Sequence, residues 1–144
     1  MTSSATLIFG DEAGVLVDTF TTIEQNETLI QWVKDHDRRL THIYLTHAHG
    51  DHVYGIGQLL GAFPGARAIA TAGTLAEARI QAQDEYRVDF WGRLFPGQIP
   101  EPVLPELLES DRFGLEGHDL QIVEAGHAGH DGALGTRHPF ARQR

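Results

Sequence analysis

Cysteine is absent from the 144-residue chain. That excludes disulfides, thiol nucleophiles, zinc ribbons and cysteine-held iron–sulfur clusters. Any transition metal here must be held by imidazole and carboxylate. Lysine occurs once, and 11 Lys+Arg stand against 20 Asp+Glu, a formal charge of -9. Nucleic-acid binders carry basic patches, so this balance argues against that class of partner. Long apolar runs are lacking, so no membrane span is expected. The opening residues show no basic stretch followed by an apolar one, so no secretory signal is expected. The expectation is one cytoplasmic domain, with no membrane or nucleic-acid partner.

What the chain has in excess is histidine, with nine residues. Their setting follows from the patterning. Leu7–Phe9 and Val15–Val17 flank a Gly/Asp turn and predict a β-hairpin closed by Asp18. Thr22 and Gln25 form a capping box, and Leu29, Ile30 and Val33 share one face of the helix that follows, to about His36 or Asp37. Ile43–Leu45 predicts a strand covered by helices on both faces. His52, Ile56, Leu59, Leu60 and Phe63 keep helical spacing up to Pro64-Gly65. Ala66–Thr71 predicts a strand, and Thr74 with Glu77 a second capping box opening a helix to about Tyr86. Four prolines between Gly92 and Pro105 predict an extended loop. Gly114–Val123 predicts two strands around Gly117-His118-Asp119, and periodicity is lost from Gly126 onward. The order is that of a mixed α/β layered domain.

Thr46-His47-Ala48-His49-Gly50-Asp51-His52 joins the buried strand to the next helix. His47 and His49 are two apart across an irregular turn, so both imidazoles can reach one point. Asp51 and His52 start the helix and should point away from that pair. Four metal-competent groups within six residues can serve two neighbouring ions. A chance string of unrelated histidines is the bland alternative.

The segment resembles the T-H-x-H-x-D-H signature of the metallo-β-lactamase-fold superfamily, and the resemblance covers about residues 6 to 131. It implies an αββα sandwich holding one or two metal ions, zinc most commonly and iron or manganese in some members. It implies that His47 and His49 bind a first ion, and Asp51 and His52 a second. Asp18 then takes the place of an aspartate that orients a ligand by hydrogen bonding, with an ordinary strand-end role as the alternative. A third first-site ligand falls on His127, in Gly126-His127 after the last predicted strand, although Ala128 stands where a hydroxyl residue is usual. His36, His42, His118, His130 and His138 remain peripheral.

The resemblance also implies a bridging aspartate and a final histidine further on, and only 17 residues follow His127. The expectation is therefore the N-terminal part of the sandwich, a single incomplete domain over residues 1–144. Its second half would be largely missing, by truncation or frameshift, with residues 132–144 an irregular tail. Asp131 and His138 could substitute only if that tail folds back. A homodimer could cover the sheet surface left open, and aggregation is the alternative.

The chemistry so implied is hydrolysis of a small ester, thioester, lactone or lactam-like substrate by metal-activated water, with Asp51 as the catalytic carboxylate. The alternatives are a catalytically impaired metal-binding remnant and a metal-dependent interaction module. Trp91, Phe95 and the proline-rich loop either wall a small-substrate site or simply pack.

Overall fold

The computed structural model describes residues 3–124. The chain opens on the expected hairpin: β1 (Thr6–Phe9) pairs antiparallel with β2 (Ala13–Val17). After α1 (Ile23–Asp35), the strands β3 (Arg39–Tyr44), β4 (Arg67–Ala70) and the two-residue β5 (Glu106–Leu107) add in parallel. The result is a five-stranded mixed sheet in the order β1-β2-β3-β4-β5. A second, two-stranded sheet is made by β6 (Arg112–Leu115) and β7 (His118–Gln121).

Alternation along the strands assigns the two faces. Leu16, Ile43, Ala68 and Ala70 pack beneath the helices with Leu29, Val33, Ile56 and Leu59. Val15, Val17, Tyr44 and Ile69 point the other way, onto Phe113, Leu115 and Leu120 of the β6–β7 hairpin. The expectation of helices on both sides of β3 is thereby corrected. Both faces of β3 are buried, but a hairpin covers one of them.

α1 starts where the sequence places it. The Thr22 side chain accepts from Gln25 N, and Gln25 Oε1 accepts from Thr22 N. Fully buried Asn26 ties the preceding loop to this helix: its amide oxygen accepts from Phe20 N, and its amide nitrogen donates to Phe20 O and Thr22 O.

Other local expectations are corrected. The helix read from His52 to Phe63 is two helices, α2 (Gly50–Val53) and α3 (Ile56–Ala62). Gly55 N donates to the Thr19 hydroxyl, across 36 residues, so a tertiary bond interrupts the ladder. The cap of α4 (Ala72–Gln81) is Thr71, which has extended backbone angles and accepts from Thr74 N. Helical structure continues through α5 (Asp84–Tyr86), a π-helical turn (Arg87–Trp91) and α6 (Gly92–Leu94), so the extended loop begins only after these. The β6–β7 turn is Glu116-Gly117, both at positive φ (51° and 80°), and His118 belongs to β7.

No helix among the described residues is long and apolar enough to cross a membrane. The expected tail 132–144, with Asp131 and His138, lies outside the described residues.

Candidate metal centre

The parallel pairing of β2 with β3 sets Val17 against Tyr44, so both strands deliver their next residues to one edge. Carboxyl ends of parallel strands are the usual ligand-facing edge of such sheets. Asp18 N donates to Tyr44 O (2.8 Å), and Asp18 adopts a positive φ of 66°. Aspartate tolerates that left-handed conformation better than most residues. The turn swings its carboxylate over the start of the histidine loop. Thr46 N donates to Asp18 Oδ1 (2.8 Å), and the Thr46 hydroxyl donates to Asp18 Oδ2 (2.7 Å).

That second bond decides the state of His47. The Thr46 hydroxyl has one proton and gives it to Asp18. Toward His47 Nδ1, 3.0 Å away, it can then only accept. His47 therefore carries its proton on Nδ1 and turns the Nε2 lone pair outward. Thr46 was not singled out in the sequence, although it opens the histidine string. The signal for its role is its position one residue before the first imidazole.

His52 lies between two carboxylates, with Nδ1 3.2 Å from Asp18 Oδ2 and Nε2 3.4 Å from Asp51 Oδ2. Its ring centroid is 3.9 Å from that of His47, and the rings of His47 and His49 are 5.4 Å apart. His52 thus turns back toward the first pair instead of away from it. The one-turn helix α2 is short enough to allow this.

The electrostatics divide the two central imidazoles. Burial and then repulsion by His52 bring His47 down to about 4, against the pull of Asp18 and Asp51. Burial also disfavours charge on His52, but Asp18 and Asp51 together outweigh it and lift the ring to about 9. Asp51 is raised by burial and lowered more by its contacts with His52, leaving it below the usual carboxylate range.

Two groups of ligand atoms lie within 4.8 Å of one another: Asp18, His47 and His52, and His47, His49 and Asp51. Donors about 2.1 Å from a shared zinc can be at most about 4.2 Å apart, so the spacing is close to a closed site. His52 Nδ1 is buried without an aligned hydrogen bond despite its proximity to Asp18. Imidazole nitrogens and carboxylate oxygens gathered in this way are a donor set suited to zinc or iron. Asp18, His47, His49, Asp51 and His52 are thus brought together. His127 and His130 lie outside the described residues. His36 instead packs on Trp32 and Phe9, and His42 on Phe113.

Beside His49 and Asp51 opens a hollow that the sequence did not reveal, lined also by Gln81, Tyr86, Phe90 and Trp91. Trp91 is buried, donates to Gln81 Oε1 (3.3 Å) and meets the Tyr54 ring edge-on. Phe95 stacks on Trp91 and is absent from the lining. Trp91 thus packs in the core and also lines the hollow.

Gly50 is required by this arrangement. A Cβ there would come within 2.5 Å of Tyr54 and 2.6 Å of Trp91 Nε1.

The profile of the metallo-beta-lactamase superfamily matches residues 1–141. No curated protein matches. Among solved structures, the BLEG-1 B3 metallo-beta-lactamase superposes with a TM-score of 0.64 at 18% identity, over 85% of this chain and 56% of that one. A metallo-beta-lactamase from Pontibacter korlensis gives 0.62 at 19% identity, over 84% and 48%. The protein TTHA1623, crystallised in a di-iron-bound form, gives 0.60 at 25% identity, over 85% and 56%. The chain therefore spans about half the length of the solved structures it matches.

Proposed function

The chain belongs to the metallo-beta-lactamase superfamily, and we propose that it acts as a metal-dependent hydrolase on a small ester, thioester, lactone or lactam-like substrate. Zinc is the proposed metal, with iron or manganese as the alternatives. The observation that carries the reading is the convergence of Asp18, His47, His49, Asp51 and His52, whose ligand atoms form two groups each within 4.8 Å. Asp18 is buried and the other four donors are half-buried, a setting that favours a shared cation.

His47 and His49 would hold the first ion, with His127 as the proposed third ligand. Asp51 and His52 would hold a second. A zinc ion bound there supplies Lewis acidity toward water and a carbonyl oxygen. The protein's part is placement. Thr46 keeps the His47 Nε2 lone pair directed outward through its bond at Nδ1. Asp18 restrains Thr46 and His52 together. Asp51 is held ionised beside His52. Its carboxylate can accept a hydrogen bond from the attacking water and orient it.

Metal content and turnover test the reading together. The purified chain should retain zinc and hydrolyse generic thioester, lactone or nitrocefin-type substrates in a chelator-sensitive manner. Replacing His47 and His49 together with alanine should abolish metal uptake, and unchanged uptake would sink the ligand assignment. Metal uptake with no turnover would favour the catalytically impaired metal-binding reading.

A further inference from the structure

We propose that the hollow beside Asp51 is a subsite for an uncharged, apolar group of the substrate, with Phe90 as its selecting residue. This rests on the hydrolase reading above and specifies the substrate class for the same site.

The hollow measures about 300 Å³, at the small end of ligand pockets. Its acidic and basic lining consists of His49 and Asp51, both members of the metal-competent cluster. The reacting end of a bound substrate would therefore lie there. The rest of the wall is Tyr86, Phe90, Trp91 and the Gln81 side chain. The Gln81 amide oxygen already accepts from Trp91, and its backbone carbonyl accepts from the Tyr54 hydroxyl (2.8 Å). That wall offers no cationic side chain to pair with a carboxylate or phosphate. Enclosing such a group unpaired is strongly unfavourable.

The backbone is a second, independent observation. Phe90 and Trp91 lie on the π-helical turn Arg87–Trp91. Such turns occur as single insertions and are frequent at functional sites. Here the turn produces an unequal pair: Trp91 is 6% exposed and pinned, whereas Phe90 is 50% exposed. Their rings meet edge to face, with centroids 5.2 Å apart at 86°. A half-open aromatic at the lip of an aromatic hollow is surface that an alkyl or aryl group would cover. The net charge of -9 acts in the same sense, opposing anionic substrates.

The test uses the zinc-loaded full chain with 4-nitrophenyl acetate, butyrate and octanoate, and 4-nitrophenyl succinate as the anionic control. Each fully buried methylene is worth about fourfold in affinity. In this half-open hollow, kcat/KM should rise at least tenfold from acetate to octanoate, with succinate below butyrate. Phe90→Asp should reduce the octanoate-to-acetate ratio at least fivefold. Phe90 is half in solvent, so the substitution leaves the core intact, which circular dichroism checks. A second readout needs neither metal nor turnover. The neutral fluorophore N-phenyl-1-naphthylamine should bind the metal-free chain and lose at least fivefold in affinity with Phe90→Asp. A flat ester series, or probe binding indifferent to Phe90, overturns the subsite while leaving the hydrolase reading standing. Absence of turnover on these esters and on the thioester, lactone and nitrocefin-type substrates alike overturns the hydrolase reading and the substrate role with it.

Discussion

His52 Nδ1 lies 3.2 Å from Asp18 Oδ2, and the same oxygen accepts the Thr46 hydroxyl at 2.7 Å. One carboxylate thus governs both central imidazoles, His52 directly and His47 through Thr46. Asp18→Asn is the substitution that isolates this role, since asparagine also tolerates a φ of 66°. It should lower the His52 pKa from about 9, seen in the NMR titration of its ring protons. It should also weaken zinc binding by roughly 10–100-fold, the usual effect of losing a group that orients a ligand. Competition with a chromophoric chelator measures that loss, and undiminished affinity would refute the role.

The metal-free chain should be most stable near pH 6.5. An unfolded histidine titrates at about 6.5. The folded pKa of His52 is raised to about 9, so its contribution is complete below pH 6.5 and is lost as pH rises through 9. His47 is lowered to about 4, so its protonation penalises the fold as pH falls from 6.5 to 4. The depressed Asp51 acts in the same acid direction. Urea midpoints measured from pH 4 to 9.5 with chelator present should trace this maximum. His52→Gln should flatten the alkaline limb, and a limb unchanged in that variant would show that another group produces it.

Gly50→Ala should disturb both the hollow and the metal cluster. The new Cβ meets the Tyr54 and Trp91 rings at 2.5 and 2.6 Å, and neither ring is a flexible side-chain end. Overpacking of this kind costs about 1–3 kcal/mol. The thermal midpoint should fall, and the Trp91 emission should shift as the ring moves. A variant with wild-type stability and emission would show that the helix start absorbs the methyl.

Glu116 should hold the first hairpin in place from a distance. Its carboxylate accepts from Asp11 N, Glu12 N and Ala13 N. Those bonds depress its pKa, with Glu12 N the foremost. The stabilisation is therefore present above the ordinary glutamate range and is lost as pH falls through the lower folded value. Glu116→Gln should lower the melting temperature at pH 7, with the difference vanishing in acid. A constant difference at all pH values would mean that the charge is not what matters.

The parts legible in the sequence are those fixed by neighbours along the chain. The Thr22–Gln25 capping box, the β1–β2 hairpin and the donors His47, His49, Asp51 and His52 depend on residue type and short spacing. What the sequence misplaced depends on distant partners. Periodicity carried a helix through Tyr54 and Gly55 because their backbones stay near helical, while the break comes from Thr19. Thr74 reads as a cap in the sequence, and the extended backbone of Thr71 places the cap three residues earlier. The π-helical turn has no periodic signature, so the sequence points to Trp91 and Phe95 but not to Phe90.

By itself the sequence determined the family, the absence of thiol chemistry and the identity of the metal-competent side chains, because these are properties of residue type and local order. The turn of His52 toward His47, the reach of Asp18 to Thr46 across 28 residues and the aromatic hollow beside Asp51 arise from long-range packing instead. Those relationships follow from parallel pairing of β2 with β3 and from the contacts that tie α4 and Trp91 to Thr46 and Tyr54. Both are long-range burial effects that no local spacing encodes.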